Sequence, residues 1–145
     1  MKFYIASRLE AAPRVRELKT ILESYGHEHT YDWTVHGSVQ NDGADVIREV
    51  SEREVLGVVN ADANIVLLPG GRGTHTELGI AIACKFHQPR GLHDDTPRRI
   101  VLLSESQEID FGTDGRTCAF YHHPFVERVG SWPDLLATLG CAGPQ

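Results

Sequence analysis

Glu77 stands just beyond the run Gly70-Gly71-Arg72-Gly73-Thr74, which itself follows a short apolar stretch ending at Pro69. Backbone amides of a glycine loop, and the positive end of a helix that follows it, suit an anion. A carboxylate about one turn into that helix is well placed to act on whatever the loop holds. A plainer role is also open: an acid near a helix N-terminus complements the helix dipole. Gly70 and Gly71 serve equally as a tight turn, and Arg72 suits either a phosphate or the solvent. The loop is not a Walker loop, because no Lys-Ser or Lys-Thr follows it. It is not the GxGxxG fingerprint either, and it follows the third strand-like run rather than the first.

The other chemistry-bearing residues are scattered. Glu54 lies in Glu52-Arg53-Glu54-Val55-Leu56-Gly57-Val58-Val59-Asn60-Ala61-Asp62, where taken alone it reads as part of a charged helix face. Ser7 and Arg8 close the first strand-like run, and Asp32 lies near the end of the second. Among the eight histidines, His27 and His29 are two apart and His122 and His123 are adjacent. Neither spacing is that of a strong zinc motif, so no metal is expected, and His75 and His123 are candidate pocket residues. Cys84, Cys118 and Cys141 are widely separated, with no CxxC, and read as reduced thiols.

These residues need a scaffold. Apolar runs predict strands over 2–6, 29–33, 64–68, 100–103 and 117–121. Periodic apolar spacing predicts helices over 10–25, 44–60 and 74–85, and a short closing helix capped by Ser131. The segments 88–98 and 35–43 read as loops, 105–115 has no clear period, and 140–145 reads as a frayed tail. Strands alternating with helices imply a parallel sheet covered on both faces. The expected fold is therefore α/β, a flavodoxin-like or Rossmann-like three-layer sandwich with a mostly parallel five-stranded sheet, as one domain over 1–145.

With 145 residues, 41% hydrophobic and 23% charged, the composition is that of a globular domain. A net charge of −6 argues against binding a nucleic-acid polymer, which needs a basic face. It leaves room for a small nucleotide held by one or two arginines. No apolar run approaches the ~20 residues of a membrane span, and the amino terminus enters a strand-like run directly. Membrane association is not expected, and the cytoplasm is the expected location.

Taken together, three blocks resemble the nucleoside 2-deoxyribosyltransferase superfamily, which includes the related nucleoside 5′-monophosphate N-glycosidases. They are Phe3-Tyr4-Ile5-Ala6-Ser7, Glu54 through Asp62, and Gly73-Thr74-His75-Thr76-Glu77-Leu78-Gly79. The resemblance extends from the first strand to Lys85 and weakens beyond it. It implies that Glu77 is the nucleophile at the anomeric carbon, that Glu54 handles the base and its proton, and that Tyr4 orients the nucleophile or lines the sugar site. It also implies a homodimer or larger and no cofactor. Two departures stand out. Glu54 replaces the usual aspartate. Gly71, six positions before Glu77, stands where the transferases tend to have an aspartate and the monophosphate hydrolases a serine. Arg72 lies beside it. Tyr121, His122 and His123 are the local candidates for base contacts.

The chemistry implied is cleavage of the N-glycosidic bond of a nucleoside or nucleoside 5′-monophosphate, with the (deoxy)ribosyl group passing to another base or to water. The candidate substrate-binding residues are Ser7, Arg8, Asp32, Gly70, Gly71, Arg72, Gly73, Thr74 and His123. A non-catalytic nucleotide-binding module and a phosphate-handling enzyme of another kind remain as alternatives.

Overall fold

The computed structural model describes residues 1–87, 97–112 and 117–141. Five strands form the sheet: β1 (Lys2–Ala6), β2 (Glu28–His29), β3 (Ala63–Leu67), β4 (Arg99–Leu103) and β5 (Val126–Val129). Around them run α1 (Ala12–Ser24), α2 (Ala44–Val59), α3 (Arg72–Phe86), α4 (Gln107–Phe111) and α5 (Trp132–Thr138). The strand order is β2-β1-β3-β4-β5, and every pairing is parallel. This is the expected three-layer α/β fold, with a fully parallel sheet.

The topology itself places a site. The chain runs leftward from β1 to β2 and rightward from β3 onward. Right-handed crossovers therefore put α1 on one face and α2 and α3 on the other. The order reverses between β1 and β3, and a crevice opens at their carboxyl ends. Ser7 and Arg8 leave β1 there, and the glycine loop leaves β3 there. The sheet is buried on both faces: Phe3, Ile5, Ile65, Ile100 and Leu102 are fully enclosed, and every residue of β3 is buried. Among the described residues no helix is long and apolar enough to cross a membrane.

Three local expectations change. The second strand, expected over 29–33, is only Glu28–His29. Asp32 Oδ1 accepts from the Thr34 amide at 3.0 Å and starts a 3-10 turn, Trp33–Val35. A short acid that bonds its own backbone competes with the sheet ladder in this way. Trp33 instead enters the core and donates Nε1–H to the Ile5 carbonyl at 2.8 Å. The strand expected over 117–121 is a 3-10 turn, Ala119–His122, and the fifth strand forms later, at Val126–Val129. Its Glu127 pairs with Arg99 of β4, so the edge strand is charged and carries little apolar signal. The segment without period holds the short helix α4.

Ser131 caps α5 as expected, its Oγ accepting from the Asp134 amide at 3.2 Å. The tail is anchored at its first residues. Cys141 is buried and its amide donates to the Leu136 carbonyl at 2.8 Å. Residues 142–145 and most of the expected loop, 88–96, lie outside the described residues.

Candidate active site

Tyr4 is an inward residue of β1, 1% exposed, and its hydroxyl donates to Glu77 Oε1 at 2.5 Å. Glu77 shares the sheet-facing stripe of α3 with Thr74, Leu78 and Ala81, at the i, i+3, i+4, i+7 spacing of a core face. A glutamate in that stripe is placed differently from a solvent-facing helix-end acid. It is 8% exposed.

Glu54 approaches from α2. The approach depends on Gly57, one turn later on the same helix face. A Cβ on Gly57 would lie 2.9 Å from both Tyr4 Cδ2 and Tyr31 Cβ. Glycine there lets α2 press against Tyr4 and carries Glu54 to the crevice wall.

The electrostatics follow from burial. Loss of solvent pushes Glu77 up to about 8, the Tyr4 hydroxyl pulls it down, and the charge of Glu54 pushes it up again. Burial also raises Glu54, while a charge on His36 acts to lower it. Tyr4 is raised far above the ordinary phenol range, first by burial and then by the charge of Glu77 and its bond, so it stays a protonated donor. Both carboxyls are thus raised chiefly by burial, and the charge of Glu54 adds to the shift of Glu77.

Two cavities meet at this pair. The larger, about 620 Å³, is lined by Ser7, Arg8, Leu9 and Glu10 from the end of β1, by Gly71, Arg72, Gly73 and Thr74 from the glycine loop, and by Glu77. The smaller, about 230 Å³, lies between α2 and the loop that precedes it, and includes His36, Ile47, Val50 and Ser51. Leu9, Trp33, Gln40 and Glu54 line both. Glu54 therefore stands in the wall the two cavities share, with Glu77 in the larger.

The glycine loop is braced from behind. Its Gly71 amide donates to Thr74 Oγ1 at 3.0 Å. A Cβ on Gly70 would meet Thr74 Cγ2 at 2.8 Å, so Gly70 packs on that threonine and only Gly71 and Gly73 reach the cavity. His75 Nδ1 lies 2.6 Å from the Gly71 carbonyl, and Nε2 lies 2.6 Å from the Tyr121 hydroxyl. A carbonyl only accepts, so Nδ1 carries the hydrogen and Nε2 of the neutral ring accepts from Tyr121. Burial pushes Tyr121 up to about 12, which keeps that hydroxyl protonated. Arg8 and Arg72 are exposed at the rim, and among the described residues neither has an ion-pair partner.

The structure thus brings Ser7, Arg8, Glu54, Gly71, Arg72, Gly73, Thr74 and Glu77 to one crevice, with Tyr4 bonded to Glu77 from the buried side. Ser7 also ties β1 to β3, its Oγ donating to the Leu67 carbonyl at 2.9 Å. Besides Gly70, two candidates lie elsewhere. Asp32 is outside the cavity lining and bonds Lys19 Nζ at 2.9 Å and Thr34; burial would raise its carboxyl, but these bonds outweigh it and hold it below the usual range. His123 packs edge-on against Phe125 and accepts from the Phe125 amide at 3.2 Å. Sequence reasoning did not select Leu9, Glu10, Trp33, Gln40 or His36. Their roles depend on how the loops after β1 and β2 fold back, and no residue spacing encodes that.

No family model and no curated protein matches the chain. Among solved structures, it is similar to the CMP N-glycosidase BcmB of Clostridium botulinum. The TM-score is 0.52 and the identity 16%, over 98% of this chain and 100% of that one. At this identity the likeness shows a shared fold: the chain adopts the α/β architecture of a known nucleotide N-glycosidase.

Proposed function

We propose that this protein cleaves the N-glycosidic bond of a nucleoside 5′-monophosphate or nucleoside. The observation that carries the reading is the position of Glu54 in the wall between two cavities, with Glu77, held by the Tyr4 hydroxyl, lining the larger one. A sugar in the larger cavity and a base in the smaller put the bond between them beside both carboxyls. The likeness to a CMP N-glycosidase agrees with this.

In this reading Glu77 attacks the anomeric carbon as the carboxylate. The C–N bond breaks with its electron pair on the base, and Glu54 supplies the proton that base takes. The glycosyl–Glu77 ester splits one hard step into two. Water, or a second base, then attacks the same carbon and frees Glu77, and the attacking group's proton returns to Glu54. Arg8, Arg72 and the Gly71–Thr74 backbone at the start of α3 meet the 5′-phosphate.

The protein acts as a homodimer. Helix α2 leaves Val46 40% and Leu56 57% exposed, with Ile47 and Val55 between those values. A second copy of the chain would cover part of this exposed apolar surface, and a monomer in sedimentation equilibrium would exclude it.

The test is chromatographic detection of free base from a panel of nucleosides and 5′-monophosphates, with and without an acceptor base, for wild type and Glu77→Gln. Base release lost in the variant supports the reading, and the acceptor dependence separates transferase from hydrolase. Ligand binding without base release in any case would mark a binding module and overturn it.

A further inference from the structure

His75 lines neither cavity, yet both of its ring nitrogens are engaged. Nδ1 lies 2.6 Å from the Gly71 carbonyl, and Nε2 lies 2.6 Å from the hydroxyl of Tyr121 in the turn Ala119–His122. The two rings stack, with 5.6 Å between centroids and 25° between planes. Tyr121 is 6% exposed and meets the Phe111 ring of α4 edge-on at 6.3 Å. A chain of contacts therefore runs from the connection between β4 and β5 to the peptide that opens α3.

Peptide geometry says what that contact controls. The Gly71 carbonyl also accepts from the His75 amide at 3.2 Å, at the start of α3. The Gly71–Arg72 peptide is trans, so its N–H points the opposite way from its C=O. With the C=O held into the helix, the Arg72 N–H points out of the helix end that lines the larger cavity. Gly71 is the N-cap and brings no side chain to cover the first amides of α3. Arg8 passes the same residue, its Cβ 3.9 Å from where a Cβ on Gly71 would lie. Two arginines thus gather at a peptide whose direction His75 fixes.

The tether has something to restrain. Three of the four residues 70–73 are glycines, which lose the most backbone freedom on ordering. Left free, that cost would fall on ligand binding.

We propose that His75 is a positioning residue for the phosphate contact: with its ring fixed by Tyr121, it holds the Gly71–Arg72 peptide so that the Arg72 N–H is turned towards the 5′-phosphate. This rests on the nucleotide reading above. The site then prefers a phosphorylated substrate through a residue that touches neither phosphate nor sugar. The tautomer is part of the device. A ring with its hydrogen on Nε2 would set the Nδ1 lone pair against the Gly71 oxygen, and the Tyr121 hydroxyl, donating to Nε2, selects against that ring.

The experiment compares three variants. His75→Leu removes both bonds, His75→Asn keeps a side-chain N–H near the place of Nδ1, and Tyr121→Phe keeps the ring but frees its tautomer. Each is assayed on a nucleoside 5′-monophosphate and on the same nucleoside. His75→Leu should raise KM for the monophosphate about tenfold more than for the nucleoside, with kcat changed less than about threefold. Tyr121→Phe should show the same selectivity to a smaller degree, and His75→Asn should recover most of the loss. Equal losses on both substrates, which a purely structural histidine would give, or no loss, would overturn the proposal. If His75→Leu does not fold, Tyr121→Phe decides by the same ratio. A second measurement needs no turnover: ribose 5-phosphate is titrated into the protein and the Arg72 amide is followed by NMR. Its proton should move downfield in wild type, with a Kd about tenfold weaker in His75→Leu. A stationary amide, or the same Kd in both proteins, would overturn the proposal. Wild type that binds ribose 5-phosphate but releases no base from any substrate sinks the N-glycosidase reading instead, and the amide titration still decides the role of His75.

Discussion

The Tyr4 hydroxyl donates to Glu77 Oε1 across 2.5 Å, joining the first strand of the sheet to the third helix within the buried layer between them. It bonds one carboxylate oxygen and leaves the other for chemistry. The bond also opposes the burial that raises Glu77. Tyr4→Phe should therefore push Glu77 above about 8 and slow base release at pH 7 by about 10- to 100-fold. Initial rates from pH 5 upward check this. An unchanged profile would mean that the bond does not govern the nucleophile.

The carboxyl pair predicts a bell-shaped pH dependence of kcat/KM for ordinary substrates. Activity needs one proton on the pair. The acid limb lies above the ordinary glutamate range because Glu54 is raised. The alkaline limb falls through about 8, where the last proton leaves. A substrate whose base is already cationic needs no acid, so its rate should not fall there. A shared alkaline limb for both substrates would contradict the assignment.

Stability should carry the same signature. Glu77 has a folded-state value of about 8 against 4.5 in the unfolded chain, so the folded state binds its proton more tightly. Its contribution is fully present below 4.5 and is lost as pH rises towards about 8. Glu77→Gln should then stabilise the fold above that pH by on the order of 2 kcal/mol while abolishing base release. Thermal melts of both proteins across pH 5–9 test it, and equal stability at high pH would refute it.

Gly57→Ala puts a methyl within 2.9 Å of Tyr4 and Tyr31. Forcing α2 away from β1 should destabilise the protein by about 1–3 kcal/mol and withdraw Glu54 from Glu77. Denaturant unfolding gives the first effect, and the loss of base release beyond the unfolded fraction gives the second.

Arg72→Ala and Arg8→Ala should each raise KM for a 5′-monophosphate about 10-fold while leaving the unphosphorylated nucleoside within about twofold. Both residues are exposed at the rim, so the fold should be unaffected. Equal effects on both substrates would place the phosphate elsewhere.

Much of this was written in local patterns. The apolar runs of β1, β3 and β4 and the spacing of α1 are buried-face signals that survive folding almost unchanged, whereas α2 forms where expected but buries only Gly57 and Val58. The relation of Glu54 to Gly57 and of Thr74 to Glu77 also survives, because a helix places residues three apart on one face. The sequence by itself therefore determined the α/β alternation, the loop at the end of β3 and the two acids worth attention. Tertiary structure decided the rest. Whether Glu77 faced solvent or core depended on the side from which α3 packs on the sheet. Asp32, expected at the site, is bonded to Lys19 and Thr34 outside the cavity lining. Tyr121, a candidate for base contacts, lies with its hydroxyl against His75 behind the glycine loop. His36, Trp33 and Gln40 reached the cavities through the loop between β2 and α2. Contacts between residues far apart in the chain depend on which surfaces the whole core leaves open, and no short stretch of sequence carries that information.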